Sequence, residues 1–195
     1  MKLNSNTRII GRNIILVPYR ENHVLRYHEW MKSVELQKLT ASEPLTLQEE
    51  YEMQKSWRED EDKCTFIILD KHIFDKHTDE TEAMIGDTNI FITDNELAAG
   101  EIEIMIAEES ARGKKLGWEA VILMFLYGIH HINLKLIEAK ISLTNDISIK
   151  MFKKLGFEEK SLSEVFQEVT LEKKVDHAWI EWLNKEAQYE IQTCV

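Results

Sequence analysis

The chain has 195 residues, 44% of them apolar and 30% charged, which is the composition of an ordinary globular protein. This length suits one domain with a sizeable core, so a single domain over residues 1–195 is expected. Seven glycines and two prolines are too few for long disordered or collagen-like segments. The net charge of −11 at pH 7 argues against a nucleic-acid-binding protein or a membrane-surface protein. We expect neither partner, and we expect a monomer.

The sequence carries no visible signal for export or membrane insertion. Residues 1–4 turn polar at once, and the longest apolar run, residues 121–127, is too short to span a bilayer. Cys64 and Cys194 lack metal-ligand spacing, and both are expected to be free thiols in a reducing compartment, which predicts a cytoplasmic protein. No metal site is expected, because the histidine pair at residues 130–131 lies at a predicted helix end, where a cation favours the helix dipole.

The predicted elements of the first half follow from apolar periodicity and cap signals. Residues 12–19 form an apolar, β-rich run that predicts the first strand. A helix is predicted over residues 22–31, followed by a turn-rich loop over residues 40–45. A second helix is predicted over residues 46–58, because a threonine followed three residues later by a glutamate forms the capping-box pattern at its start.

Strands and helices alternate through the rest of the chain. Residues 84–92 predict a strand in which Gly86 marks a bulge or tight bend, and the charged connection over residues 71–82 predicts mostly loop. Residues 115–131 are apolar on nearly every helical face, which predicts a deeply buried helix. The other predictions are strands at residues 65–69, 101–106, 136–142 and 166–172 and directly after Gly156, and helices at residues 146–155 and about 175–189.

The most informative stretch joins the central strand to the buried helix. Its turn reads Arg112-Gly113-Lys114-Lys115-Leu116-Gly117. A strand, a glycine-bearing turn and a helix start bring free backbone N–H groups together at the positive end of a helix dipole, an arrangement that binds anions. Neither a Walker loop nor the GxGxxG pattern of dinucleotide-binding proteins is present.

A second stretch completes a recognisable pattern. Asn145-Asp146-Ile147-Ser148 leads into residues 151–157, which read Met-Phe-Lys-Lys-Leu-Gly-Phe. Together with the preceding turn, this order resembles the GNAT superfamily of N-acetyltransferases, over roughly residues 12–171. The resemblance implies an α+β fold of three α/β/α layers, in which helices flank a central mixed, mostly antiparallel, twisted sheet. That sheet is expected to be splayed between its fourth and fifth strands.

Within this superfamily the chain is similar to the eukaryotic N-acetyltransferase 9 family, also called tubulin N-acetyltransferases. The similarity rests on four segments, at residues 27–33, 39–46, 62–66 and 165–171. It implies acetyl-CoA as cosubstrate and a protein substrate, with tubulin or microtubules as the expected partner. Nothing in the residues themselves names tubulin, and an acidic enzyme gains no electrostatic steering towards an acidic partner.

The resemblance also implies where acetyl-CoA binds. The backbone of Met105, Ile106 and Ala107 is expected to pair with the pantetheine arm, and the amides of residues 112–117 are expected to hold the pyrophosphate. Position 115 holds lysine where the turn normally has its middle glycine, which adds bulk where the backbone approaches a phosphate. The Lys115 side chain is expected to point to solvent and to contribute only helix propensity.

Three further residues are expected near the thioester by the same resemblance. Asn145 and Ser148 are expected to face it, and Phe152 is expected to pack beside them. From the residues alone, Asn145 could be only a turn residue and Ser148 only a hydroxyl at a helix start. Phe152 stands where many members place the tyrosine that reprotonates the CoA thiolate. A thiol with a pKa of about 8.5 leaves tolerably as thiolate at neutral pH, so this loss need not abolish activity.

The general base is expected to be Glu101 or Glu103, on the strand beside the thioester. Residues two apart on a strand share one face, so both can face the acceptor cleft, although an ordinary exposed strand face is the alternative. An α-amine with a pKa of about 8 costs roughly 1 kcal/mol to deprotonate at pH 7, whereas a lysine of about 10.4 costs nearly 5. A carboxylate acting through water therefore favours an N-terminal α-amine as the acceptor.

The expected reaction is direct attack of the amine on acetyl-CoA in a ternary complex, with a strand N–H stabilising the oxyanion. Two alternatives remain. The first is a lysine or small-amine acetyltransferase. The second is a catalytically weak, CoA-binding protein that docks on a cytoskeletal partner, which the departures at Lys115 and Phe152 would favour.

Overall fold

A nine-stranded sheet forms the centre of the part of the chain, residues 2–193, that the computed structural model describes. In chain order its strands are β1 (Thr7–Ile10), β2 (Ile14–Pro18), β3 (Lys63–Asp70), β4 (Met84–Asp94), β5 (Ala99–Ile106), β6 (Leu136–Ser142), β7 (Glu158–Ser163), β8 (Glu168–Lys174) and β9 (Glu190–Thr193). Their order across the sheet is β7-β8-β6-β5-β4-β3-β2-β1-β9. Within these residues every neighbouring pair is antiparallel except β5 and β6.

Helices cover both faces of this sheet. They are α1 (Val24–Met31), α2 (Val34–Leu39), α3 (Leu47–Glu59), α4 (Lys71–His77), α5 (Glu80–Ala83), α6 (Leu116–Tyr127), α7 (Asp146–Lys154) and α8 (His177–Glu186). Alternate residues of β3 belong to two buried clusters. Phe66 packs in the cluster that contains α6 and α8, and Ile67 packs in the cluster that contains α1. The predicted three-layer fold with a mixed sheet is therefore confirmed.

Helix α6 is buried on nearly all sides. Every residue from Ala120 to Tyr127 is at most 4% exposed, because the helix lies against the sheet and against α8. Trp179 of α8 packs on Phe125 of α6, with ring centroids 5.1 Å apart. The helix continues as a π-helical turn, Gly128–Ile132, and ends at Asn133 in a left-handed conformation. A helix that is apolar all round is stable in water only when it is enclosed in this way.

Strands β5 and β6 lie side by side only at their first three positions. Residues 99–101 of β5 pair with residues 136–138 of β6, and no pairing follows within the described chain. Beyond this point β5 continues along β4, and β6 continues along β8. The two strands therefore separate while each keeps its other neighbour. This is the splay that the family resemblance implies, with the strand numbers shifted by one because β1 was not predicted.

The prediction of mostly loop over residues 71–82 is wrong, because α4 and α5 lie there. Asp70 and Asp79 are the residues that start them. A carboxylate oxygen of each accepts hydrogen bonds from two amides of the following turn, which satisfies N–H groups that a helix start leaves free. Helices of four and seven residues are too short to show an apolar periodicity, so their sequence resembles a charged loop.

The terminal helix is shorter than the predicted segment at about 175–189. It begins after its N-cap residue Asp176 and ends at Glu186. The chain then forms the edge strand β9, which pairs antiparallel with β1. The short helix α2, which Ser33 caps, was also not predicted. These elements depend on partners that lie far away in sequence or on a single cap, and neither gives a strong local pattern.

One of the two cysteines can be placed. Cys64 is buried on β3 with a free thiol, and burial raises its pKa well above the usual range. Cys194 lies outside the described residues. Within residues 2–193 no helix combines the length and apolar character that crossing a membrane requires.

Candidate active site

The separation of β5 and β6 opens a cleft of about 310 Å³, which is a typical size for a small-molecule site. The two strands form its walls, and residues of β3, β4, α1, α7 and the segment after α2 also line it. Three carboxylates and two lysines are among the side chains that line it: Asp87, Glu101, Glu103, Lys63 and Lys140. The cleft therefore combines an unpaired strand edge with ionisable groups, which a proton-coupled group transfer needs.

The unpaired edge of β5 presents alternate residues to the cleft. Hydrogen-bonding directions alternate along an antiparallel strand, and the amide of Ala107 points to β4, where it donates to a carbonyl oxygen at 2.9 Å. The backbone groups of Ile104 and Ile106 therefore point into the gap. Of the three residues expected to pair with pantetheine, Met105, Ile106 and Ala107, only Ile106 presents its backbone groups to the gap, whereas those of Met105 and Ala107 point to β4. The Ile106 carbonyl accepts a hydrogen bond of 3.1 Å from Nε of Arg112.

The turn before α6 contains two residues in the left-handed conformation. Gly113 has a φ of 72°, and a Cβ built there would meet nothing within 4 Å. Lys115, which precedes the first residue of α6, has a φ of 63°. Side chains other than glycine are strained in this region. Lys115 therefore contributes no helix propensity, contrary to expectation, and a glycine at this position would relieve strain. Lys114 and Lys115 are both exposed.

The start of α6 lies close to β5. Leu116 is buried, and a Cβ built on Gly117 would lie 3.2 Å from Cγ1 of Ile106, which is a tight contact. The first turn of an α-helix leaves its N–H groups without intrahelical partners and places them at the positive end of the helix dipole. Free amides in this position favour an anion, and the expected pyrophosphate site at this turn stays a prediction.

Glu101 and Glu103 share one face of β5, and both line the cleft. Oε2 of Glu101 accepts a hydrogen bond of 2.5 Å from Nζ of Lys140. Glu103 has no ion-pair partner within residues 2–193, and its side chain is open to the cleft. Protein atoms surround the Glu103 carboxyl group nonetheless, and this desolvation raises its pKa. Lys63 opposes the effect, and Glu101 adds to it.

Asp87 of β4 also lines the cleft, although it was not predicted as a site residue. The residue is 3% exposed, and Oδ2 accepts a hydrogen bond of 3.0 Å from Nδ2 of Asn89. Oδ1 is buried without a hydrogen-bond partner among the described residues. Burial, and then the charge of Glu103, raise the pKa of Asp87 to about 7. The one available signal was that Asp87 is the only charged residue of the predicted strand at residues 84–92.

Asn145, Ser148 and Phe152 lie together on the opposite wall of the cleft. Asn145 is the N-cap residue of α7, and its Oδ1 accepts a hydrogen bond of 3.1 Å from the Ser148 amide. Its Nδ2 group is not needed for the cap. Phe152 is 2% exposed, and its ring lies 5.1 Å from that of Phe157. Phe152 therefore links the cleft wall to the core and offers no hydroxyl group.

Known proteins resemble this chain along most of its length. The family model described as acetyltransferase (GNAT) domain matches residues 13–158. The human alpha/beta-tubulin-N-acetyltransferase 9 is 54% identical over 193 residues, which cover 97% of this chain and 93% of that protein. The Drosophila melanogaster protein of the same name is 49% identical, with 98% of each chain covered. The N-acetyltransferase 9-like protein of Nematostella vectensis is 54% identical over 88% of this chain and 87% of its own.

Solved structures share the fold. The spermidine N-acetyltransferase from Vibrio cholerae in complex with CoA and spermine has a TM-score of 0.72 and 15% identity, covering 86% of this chain and 98% of that one. At this identity the likeness concerns the fold alone. The family match and the relatives, about half identical along most of the chain, carry the assignment. The chain therefore belongs to the GNAT family of N-acetyltransferases, enzymes that take an acetyl group from acetyl-CoA.

Proposed function

We propose that the protein transfers an acetyl group from acetyl-CoA to the N-terminal α-amine of a protein substrate. The observation that carries this proposal is the Glu103 carboxylate, which lies in the cleft on the strand with the unpaired edge. The relatives named alpha/beta-tubulin-N-acetyltransferase 9 support tubulin as the substrate. A cytoplasmic location agrees with the free thiol of Cys64.

Acetyl-CoA fits the cleft through backbone groups more than through charges. The N–H and C=O groups of Ile104 and Ile106 can pair with the amides of a pantetheine arm, as an added strand would. The amides of residues 112–117 lie in the turn before α6 and in its first residues, where the positive end of the helix dipole would stabilise a pyrophosphate. Three side chains would then lie beside the thioester: Asn145, Ser148 and Phe152.

Glu103 is a better candidate than Glu101 for the general base. The Glu101 carboxylate is engaged by Lys140 at 2.5 Å, whereas Glu103 has no such partner within residues 2–193. The pKa of Glu103 is raised, which brings it closer to that of an amine and makes proton transfer less uphill. The pKa of an α-amine lies closer to that of Glu103 than the pKa of a lysine does, by about 2 to 3 units.

A set of three peptides tests the acceptor. All derive from one sequence, taken from the start of α- or β-tubulin, and they differ only in their amines. The first has a free N-terminus and no lysine, the second has a blocked N-terminus and one lysine, and the third has neither amine. We expect the first to be acetylated, the second slowly or not at all, and the third not at all, as measured by mass spectrometry.

The other outcomes discriminate between the alternatives. Faster acetylation of the blocked lysine peptide would place the protein among the lysine acetyltransferases. No acetylation of any peptide or of intact tubulin, with acetyl-CoA binding preserved in calorimetry, would support a CoA-binding protein that acts by docking.

A further inference from the structure

Asp87 is a buried carboxyl group to which residues 2–193 supply no direct counterion. Its only hydrogen bond among the described residues comes from the neutral amide of Asn89, and Oδ1 has none. The carboxylate of Glu80, by contrast, has partners: Arg8 lies 2.6 Å and His23 lies 3.0 Å from its oxygens. An unpaired carboxylate is among the least favourable groups to bury. Its presence in the wall of a cleft therefore points to a ligand.

The sheet register places Asp87 and Glu103 on the same face. Asp87 lies opposite Met105, and Asn89 lies opposite Glu103, so the two acids are diagonal neighbours on adjacent strands. Diagonal neighbours have Cα atoms about 7 to 8 Å apart, within reach of longer side chains. Asn89 fixes the geometry, because it donates to Asp87 and its Oδ1 accepts the hydrogen bond of the Thr65 hydroxyl group.

The titratable groups around this pair include one lysine and two tyrosines that stay neutral. The charge of Glu103 on β5 raises the pKa of Asp87, and the charge of Lys63 on β3 lowers it. The charge of Asp87 in turn raises the pKa of Tyr19, which follows β2, and of Tyr27 on α1. Burial, and then nearby carboxylates that include Asp87, raise the pKa of both tyrosines, so they stay neutral. Nζ of Lys63 lies 3.7 Å from the centroid of the Trp57 ring, in a cation–π contact.

A metal ion is not the ligand that these residues suggest. Within residues 2–193 no group of three or more His, Cys, Asp or Glu side chains is arranged to hold one. A protonated amine requires fewer ligating side chains than a metal ion does. Its N–H groups can bind two separate carboxylates, and charge-assisted hydrogen bonds of this kind are short and strong.

We propose that Asp87 and Glu103 form a carboxyl pair that binds the acceptor as an ammonium ion and takes up its proton, which makes Asp87 a second catalytic residue. This inference rests on the proposed function, because it assumes that the acceptor enters this cleft. Glu103 is open to the cleft and meets the ammonium first, and Asp87 lies behind it. Like charges this close do not ionise independently, so the pair shares its proton.

The proton balance is complete without another reactant. One N–H bond of the ammonium breaks, and the proton forms an O–H bond on the carboxyl pair. The neutral amine then forms its bond to the acetyl carbon as the carbon–sulfur bond breaks. The second proton leaves the nitrogen and ends on the CoA thiolate, so the products are the acetamide and the thiol. The pair releases the first proton to solvent.

Asp87→Asn tests the proposal, with Asp94→Asn as the control. Both variants remove one carboxylate from β4, and Asp94 caps a turn outside the cleft. We expect Asp87→Asn to lower kcat/KM roughly 10²-fold and to abolish the ionisation near neutral pH in the pH profile of kcat/KM. Acetyl-CoA affinity should stay within about threefold, and Asp94→Asn should behave as the wild type does.

A binding measurement makes the test independent of turnover. In the presence of CoA, wild-type protein should bind a peptide with a free N-terminus more tightly than its N-acetylated form, by about tenfold or 1.4 kcal/mol. Asp87→Asn should lose that preference. A normal pH profile together with a retained preference in Asp87→Asn overturns the role of Asp87, even if wild-type protein acetylates the α-amine peptide. If only the lysine peptide reacts, the acceptor assignment fails and Asp87→Asn is measured with that peptide.

Discussion

Nζ of Lys140 lies 2.5 Å from Oε2 of Glu101, and this ion pair joins β6 to β5 where their backbone pairing ends. The hydrogen bond to Glu101 raises the pKa of Lys140. Glu101 is 13% exposed on its side chain, so its carboxylate is both paired and partly covered. The pair holds the two strands together at the start of the cleft and leaves Glu103 as the available carboxylate.

We predict that Glu103→Gln and Glu101→Gln differ in their effect on catalysis. Glu103→Gln should lower kcat/KM roughly 10²-fold or more, because a positioned base is removed. Glu101→Gln keeps an oxygen that can accept from Lys140 and should change kcat/KM by less than about tenfold. Steady-state kinetics with an α-amine peptide measures both, and calorimetry should give unchanged acetyl-CoA affinities. A larger loss for Glu101→Gln would identify Glu101 as the base instead.

The buried Asp87 predicts a stability that falls with rising pH. The pKa of Asp87 in the folded protein, about 7, lies above the ordinary value of 3.8, so the native state binds more protons between these values. Wild-type protein therefore loses unfolding free energy as pH rises from about 4 to 7, by up to about 4 kcal/mol. Asp87→Asn removes this loss.

Urea unfolding of both proteins between pH 4.5 and 8.5 measures the difference. Asp87→Asn should be the more stable protein at pH 8, and its advantage should shrink as pH falls and wild-type Asp87 becomes protonated. A stability difference that stays constant with pH would show that Asp87 titrates normally. A variant that is more stable but less active is the expected sign of a strained functional group.

Local pattern was enough to predict the elements that carry the cleft. The strand at Leu136–Ser142 was predicted to the residue, and the buried helix α6 followed from its uniformly apolar surface. The elements that were missed are either too short to show a periodicity or depend on partners that lie far away in the sequence. β1 and β9 stabilise each other across nearly the whole chain, and no window of neighbouring residues contains that information.

The site was predictable only in part for a similar reason. The spacing of Glu101 and Glu103 placed both on one strand face, and the structure brings both to the cleft. Asp87 lies on the neighbouring strand, and its closeness to Glu103 depends on the register between β4 and β5. The left-handed φ of Lys115 was not foreseen because lysine rarely adopts it.

Asn145 combines a structural and a binding role that substitutions can separate. Its Oδ1 caps α7 through the Ser148 amide, and its Nδ2 group remains available on the cleft wall. Asn145→Asp keeps the cap but loses the donor, so unfolding free energy should change by less than about 0.5 kcal/mol while acetyl-CoA binds about tenfold more weakly. Asn145→Ala should lose both, with about 1 kcal/mol of stability. Equal acetyl-CoA affinity in the wild type and both variants would show that Asn145 only caps α7 and does not bind acetyl-CoA.

The final prediction concerns Lys115, at the position where the family pattern has glycine. Its φ of 63° is unfavourable for a residue with a Cβ, by roughly 1 kcal/mol or more. Glycine removes that strain but makes the unfolded chain more flexible, which offsets about 0.4 to 1 kcal/mol. Lys115→Gly should therefore leave the melting temperature unchanged or raise it slightly. Lys114→Gly, which removes the same charge from a residue without a left-handed φ, should lower it.

The same pair of variants tests whether a lysine side chain binds the pyrophosphate. Lys115 is exposed, and if the free amides at the start of α6 hold the pyrophosphate as we propose, its ammonium group is not needed there. The acetyl-CoA dissociation constant of Lys115→Gly should stay within about threefold of the wild-type value or decrease, because the backbone approaches the phosphates more easily without a Cβ. Isothermal calorimetry at two salt concentrations measures this. A tenfold weakening that disappears at high salt, equivalent to about 1.4 kcal/mol, would show that Lys115 has become a phosphate ligand in place of the missing glycine.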